Sequence, residues 1–145
     1  MSKSRQLEIL TTARGHLAKG WVPYALYADG NRFSDSAVCA NGAIFRACSL
    51  EEYYYAGSAI FEPIIHEIMA LMNLMACNRY PSFNDFHNGM DYSGMRHVLI
   101  NNLLGQQAAL ELFDDAIRTL ETYIAHDLVE SAMVIESKKE EEVTI

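Results

Sequence analysis

Residues 62–77 read EPIIHEIMALMNLMAC, the richest apolar run in the chain. Pro63 stands in the first turn of this run, where its missing backbone N–H costs no helical hydrogen bond. The apolar side chains that follow cover more than one stripe of a helix, which is typical of a helix buried on several sides. His66, Glu67 and Asn73 interrupt the run, so it does not predict a membrane span. We therefore predict one central helix over this stretch.

Helical spacing recurs on both sides of that run. Leu7, Leu10, Ala13 and Leu17 share one face of a first helix, and Gly20 follows it as a stop signal. With the other periodic segments, the predicted helices cover residues 4–19, 37–47, a segment that starts at 50, 62–77, 95–104 and 106–136.

A turn signal interrupts the helical pattern after the first helix. Residues 24–28 and 32–33 form two short extended pieces around Asp29-Gly30-Asn31, a combination that predicts a β-hairpin. The sequence thus predicts a mainly α, single-domain bundle of about five or six helices with a small β-hairpin after the first helix.

Length and charge restrict the class of protein. A chain of 145 residues, half of them apolar, has the size of one globular domain. We predict that this domain spans residues 1–136 and that residues 137–145 form a charged, flexible C-terminal tail. The chain carries 11 basic and 19 acidic residues, a net charge of −8. This balance disfavours duplex nucleic acid and membranes as partners and favours a basic protein.

The termini and the cysteines indicate a compartment. The N-terminal residues run directly into an amphipathic stretch and lack the apolar run of a secretory signal. Cys39, Cys48 and Cys77 are odd in number and fit neither a disulfide framework nor a zinc motif. We therefore expect a cytoplasmic protein with three free thiols.

Short motifs are spaced along residues 7–117. They are Gly20-Trp21, Ala28-Asp29, the C-x-x-G-A stretch that begins at Cys39, Phe83-Asn84-Asp85 and Asp114-Asp115-Ala116-Ile117. Together they resemble a family of short bacterial and phage proteins that is classed as a domain of unknown function. In that family a Trp is usual at the position of Phe83, and the segment that leads to the last helix is shorter. Because the family has no assigned activity, the resemblance implies architecture and no mechanism.

Residues 78–94 form the longest irregular segment, dense in Pro, Asn, Asp and Gly. Long ordered loops in small domains often carry function, so we expect a binding surface here. This segment and the motifs above together provide the binding candidates, which are Trp21, Asp29, Phe83, Asn84, Asp85 and Asp91.

One constellation could support catalysis. Cys39 lies three residues into the predicted helix 37–47, where free backbone N–H groups and the helix dipole favour a thiolate with a depressed pKa. His87 could act as its base, with Asn84 or Asp85 orienting the histidine, as in a cysteine hydrolase or transferase. The alternative is that Cys39 is a small buried residue of the core, since free cysteines are among the most buried side chains.

Cofactor signals are weak. Asp85, His87, Asp91 and His97 could offer metal ligands, but their spacing matches no established site. The chain also lacks a glycine-rich phosphate loop. We predict no metal and no cofactor.

These observations favour a noncatalytic accessory protein of bacterial or phage origin. We expect it to engage another protein through its acidic face and residues 78–94, because no strong catalytic motif stands out and the charge suits a basic partner. Tyr53-Tyr54-Tyr55 and the long last helix make a homodimer a further expectation. Two alternatives stay open: the cysteine-nucleophile enzyme described above, and a domain that binds a small ligand.

Overall fold

The computed structural model describes residues 3–48 and 63–143. The predicted fold class is confirmed: the described residues are mainly helical and form five helices and a small two-stranded antiparallel hairpin that follows the first helix in the chain. In chain order the elements are α1 (Lys3–Lys19), α2 (Ala40–Ala47), α3 (Pro63–Arg79), β1 (Phe86–His87), β2 (Met90–Asp91), α4 (Arg96–Leu104) and α5 (Gln106–Val143).

The hairpin lies within the irregular segment 78–94, not at the predicted position 24–33. Phe86 pairs with Asp91 and His87 with Met90. The two residues between the strands are Asn88 and Gly89, with φ of 51° and 76°. An Asn-Gly pair with both φ values positive is the preferred two-residue hairpin turn, because its twist matches that of the flanking strands.

Residues 21–38 form turns where the sequence predicted the hairpin. Only two isolated bridges, Trp21 with Val38 and Tyr27 with Val38, pair the backbone in this part of the described chain. The side chain of Arg46 gives the physical reason, because its guanidinium donates to the backbone carbonyls of Arg32 at 2.8 Å and Asn31 at 3.0 Å. These carbonyls bind the Arg46 guanidinium instead of the N–H groups of a second strand, so the chain turns around Arg46 and forms no hairpin here.

Two predicted helix ends shift by three residues or more. The helix predicted over 37–47 begins at Ala40, since Cys39 is an extended N-cap whose Sγ accepts a hydrogen bond from the Gly42 N–H at 3.3 Å. The last helix continues past the predicted end at 136 to Val143. The helix predicted from residue 50 and the three tyrosines at 53–55 lie outside the described residues.

The core forms where α1 packs between α5 and α2, with α3 and α4 against α5. Ion pairs flank this packing, since Arg14 of α1 binds Asp114 and Arg79 of α3 binds Asp115. The largest fully buried apolar side chains are Phe113, Ile9, Leu10, Leu17, Ile44, Ile65, Ile68, Met72, Leu99, Ile100 and Leu112.

Candidate binding cleft

A cleft of about 320 Å³ opens between the turn at residues 24–26 and the connection from β2 to α4. Four partly exposed apolar side chains line it, and they come from two distant segments of the chain: Tyr24, Leu26, Met90 and Met95. The predicted functional segment 78–94 therefore contributes part of one wall, and the turn after α1 contributes the other.

Backbone contacts fix the wall formed by the turn. A Cβ atom at Gly42 would lie 2.0 Å from the carbonyl oxygen of Leu26, so only glycine allows this approach. The same carbonyl accepts a hydrogen bond from the Cys39 N–H at 3.2 Å. Tyr24 has a φ of 61°, a left-handed conformation that costs energy for a bulky residue, and its N–H donates to Oδ1 of Asn102 at 2.9 Å.

A buried histidine stands behind the cleft. His97 is fully buried, and its Nε2 lies 2.7 Å from Oδ1 of Asn41. Because that oxygen can only accept, the Nε2–H of the neutral ring donates to it. Burial lowers the pKa of His97 to about 4, so the ring is neutral near pH 7. Asn41 is 5% exposed and lines the cleft, and its amide NH₂ has no acceptor among the described residues.

Asn102 presents a second amide at the cleft. Its Oδ1 accepts from the Tyr24 N–H and from Nδ2 of Asn101, the latter at 3.1 Å. Asn101 in turn accepts the Ala40 N–H at 3.1 Å, which joins α4 to the start of α2. With its oxygen occupied, Asn102 keeps its NH₂ group without an acceptor in the part of the chain that the structure describes.

Asp91 supplies a negative charge to the cleft. Its Oδ1 accepts from the Ser93 N–H at 2.9 Å and from the Ser93 hydroxyl at 2.6 Å. These hydrogen bonds to the ionised form lower the pKa of Asp91. No Lys, Arg or His lines the cleft within the described chain, so Asp91 gives it a net negative character.

Cys39 lines the cleft with little of its surface exposed. Only 4% of the residue is accessible, and burial raises the pKa of its thiol despite the hydrogen bond from Gly42. The expectation of a depressed pKa was wrong, because Cys39 precedes the helix in a dry position and desolvation outweighs the helix N-terminus. Among the described residues no hydrogen bond joins Cys39 to His87. Cys48 is buried, Cys77 is half-buried, and all three thiols are free.

The residues expected to orient His87 have structural partners. Asn84 accepts the Phe86 N–H at 3.0 Å and so starts the hairpin. Asp85 forms a two-pronged ion pair with Arg96, at 2.8 and 2.9 Å, which lowers the pKa of Asp85. The ion pair between Asp85 and Arg96 attaches the hairpin to the first turn of α4.

The other predicted binding residues lie away from the cleft. Phe83 packs edge-to-face on Tyr80, with ring centroids 5.8 Å apart. Asp29 accepts the Asn31 N–H and the Ser36 hydroxyl within its turn, and these bonds lower its pKa to about 2. Trp21 is half-buried against the core. Of the six binding candidates, Asp91 alone is among the residues that line the cleft in the described chain.

Potential metal ligands group elsewhere. His126, Asp127 and Glu130 place one ligand atom each within 4.8 Å of one another on the exposed half of α5. Asp85 and His97, two of the possible metal ligands named from the sequence, instead form hydrogen bonds with Arg96 and Asn41.

No family model, curated protein or solved structure matches this chain. The resemblance to a bacterial and phage family therefore stays a prediction. Within residues 3–48 and 63–143, no helix has both the length and the apolar character needed to cross a membrane.

The sequence interpretation missed the residues that form most of the cleft. No catalytic or ligand-binding motif contains Tyr24, Leu26 or Asn102. Tyr24 and Asn102 are 78 positions apart in the sequence and come together only in the folded chain. The available signal is local: Pro23-Tyr24 and Met90-Asp91 place large side chains next to turn residues, where side chains are often exposed.

Proposed function

We propose that the protein is a noncatalytic cytoplasmic binding protein whose cleft holds a short segment of another protein. The observation that carries the proposal is that the cleft combines exposed apolar side chains with free amide donors and one carboxylate. Apolar lining with a few well-placed polar groups is the usual composition of a recognition site.

The apolar walls suit an apolar side chain of the partner. Tyr24 is 61% exposed and Met90 is 59% exposed, so a partner can still cover most of their surface. Methionine is flexible and polarisable, which allows such a wall to adapt to side chains of different shape. Covering one such side chain fully contributes about 1.5–3 kcal/mol.

The polar groups suit a peptide backbone and a basic residue. The NH₂ groups of Asn41 and Asn102 can donate to carbonyl oxygens of the bound segment, because both amide oxygens are already occupied. Asp91 can pair with a Lys or Arg beside the apolar side chain. The net charge of −8 favours the approach of the same class of partner.

The test selects short random peptides against the purified protein. We expect enriched peptides to combine an apolar residue with a neighbouring Lys or Arg. Met90→Ser should weaken their binding about tenfold, because it removes apolar surface from the cleft. Asp91→Asn should reduce the preference for the basic residue.

Phe86→Ser is the matched control. Phe86 lies on the same hairpin and is 61% exposed, but it does not line the cleft. Its substitution should leave peptide binding unchanged. Peptides that bind all three variants as tightly as the original protein would exclude the cleft as their site.

A small ligand is the second candidate occupant. The cleft volume of about 320 Å³ lies at the lower end of the range of about 300–1,000 Å³ for small-molecule sites. Fragments that raise the melting temperature of the original protein and not of Met90→Ser, with no peptide selected, would favour this function.

The cysteine-nucleophile enzyme stays a prediction with little support. A nucleophilic cysteine needs a thiolate at working pH, whereas burial raises the pKa of Cys39. The candidate orienters Asn84 and Asp85 bind the Phe86 N–H and Arg96.

A further inference from the structure

Helix α5 continues well beyond the packed body of the protein. Every residue from 121 to 139 is exposed except Ile124, which is half-buried. The salt bridge between Lys3 and Asp127, at 3.1 Å, attaches this half of the helix to the start of α1. At 1.5 Å per residue, positions 121–143 extend over roughly 34 Å.

This exposed half is apolar along one side. With about 100° of rotation per residue, one broad arc of the helix contains Ile124, Ala125, Leu128, Val129, Ala132, Met133 and Ile135. Leu128 is 68% and Met133 66% exposed. Asp127, which binds Lys3, lies outside the arc. Ile124 and Leu128, at one edge of the arc, border the same surface depression as Lys3 and Asp127, and the rest of the arc faces away from the body. A contiguous apolar surface of this kind usually marks an interface.

The charged residues at the two ends of the arc indicate which molecule binds it. Glu121 and Lys139 are 139 − 121 = 18 residues apart, which is about five helical turns, so both project from the middle of the same arc. They stand at its opposite ends, about 27 Å apart along the helix. The apolar residues lie between them, with Glu136 as the one other charged residue on the arc within residues 121–139.

We propose that the arc binds the same arc of a second copy, with the two helices antiparallel. In that arrangement, centred on Glu130, Glu121 of each copy faces Lys139 of the other, and Leu128 faces Ala132. A parallel pair would place Glu121 against Glu121 and Lys139 against Lys139, and like charges repel. A two-fold axis that pairs one patch with itself is also the commonest way in which identical chains associate.

The shape of the helix permits this dimer. Residue 120, the last buried position of α5, would lie opposite residue 140 of the other copy. The two bodies therefore sit at opposite ends of the helix pair. The cleft is formed by other elements, so the dimer does not depend on the proposed peptide binding.

The first test is sedimentation over a range of concentrations. We expect a mass of about twice the 16.3 kDa of one chain, with a monomer appearing on dilution. Leu128→Asp should raise the dissociation constant at least about a hundredfold, because it places a carboxylate in the apolar contact. Val134→Asp is the matched control, since Val134 is 53% exposed on the opposite side of the helix and should leave the dimer intact.

Charge reversal tests the orientation. Glu121→Lys or Lys139→Glu alone should weaken the dimer about tenfold, because each creates like-charge contacts at both ends. The double variant Glu121→Lys/Lys139→Glu should restore the original affinity. Mixing the two single variants should give a heterodimer as stable as the original dimer.

Three results would overturn the proposal. One is a monomer at all concentrations, and another is dissociation by Val134→Asp but not by Leu128→Asp. The third is failure of the double charge reversal to restore association, which would exclude the antiparallel arrangement. Circular dichroism of each variant verifies that the substituted chain keeps its helices.

Discussion

The two halves of α5 form one continuous helix, but within the described residues only the first half is largely buried against other helices. In residues 106–120 the apolar positions are buried or partly buried, with Leu112 and Phe113 fully enclosed in the core that α5 forms with α1, α3 and α4. In residues 121–139 the apolar positions are about as frequent, but all of them except the half-buried Ile124 are exposed. Apolar spacing therefore indicates that a helix has a contact face, and it does not indicate which molecule supplies the contact.

The largest effect should come from truncating the covered half. Phe113→Ala leaves a cavity in the core, so we expect the free energy of unfolding to fall by about 3–5 kcal/mol. Leu128→Ala should change it by less than about 0.5 kcal/mol at concentrations where the chain is monomeric. Urea denaturation of dilute protein measures both values. Equal losses in the two variants would mean that a part of the chain covers Leu128.

Acid should destabilise the body through His97. The imidazole has a pKa near 6.5 in the unfolded chain and about 4 in the folded one, so the unfolded state binds more protons between these values. Stability contributed by the neutral ring is therefore present above pH 6.5 and is lost as the pH falls towards 4. The expected loss is about 3 kcal/mol.

Two histidine variants test whether His97 causes this loss of stability in acid. His97→Gln should reduce the change in denaturation midpoint between pH 7 and 4, leaving the contribution of His16, whose pKa burial also lowers. His126 lies on the exposed half of α5, 66% accessible beside Glu130, so His126→Gln should leave the profile unchanged. A profile that is the same in all three proteins would show that another group titrates.

Two salt bridges should differ by a smaller amount in what they contribute to the free energy of folding. Asp85 and Arg96 are 25% and 13% exposed and form two hydrogen bonds, so Asp85→Asn should cost about 1 kcal/mol of folding free energy. Asp127 and Lys3 are 55% and 45% exposed, and Asp127→Asn should cost less than about 0.5 kcal/mol. Chemical denaturation at low and high salt compares the two, and salt should weaken only the exposed pair appreciably.

Most of the helical framework could be predicted from the sequence. The limits of α1, α3 and α4 follow from local signals, namely Gly20, Pro63 and Gly105 next to apolar spacing. The sequence interpretation placed the hairpin at 24–33 although Asn88-Gly89 is a local signal for its true position, and residues 31–32 form no strand because their carbonyls bind Arg46. The sequence predicted only part of the cleft. Residues 78–94, predicted as a binding segment, contribute Met90 and Asp91 to it, whereas the facing wall depends on contacts between residues far apart in the sequence.

The contact between Gly42 and the Leu26 carbonyl has a consequence for how freely the protein can vary. Position 42 tolerates no side chain, because any Cβ would displace the backbone that forms one wall of the cleft. Tyr24, Leu26 and Met90 face outward and carry little of the core. In a saturation library, position 42 should therefore be nearly invariant, while these three exposed cleft residues accept many replacements, so a descendant could acquire a new binding preference without losing its architecture.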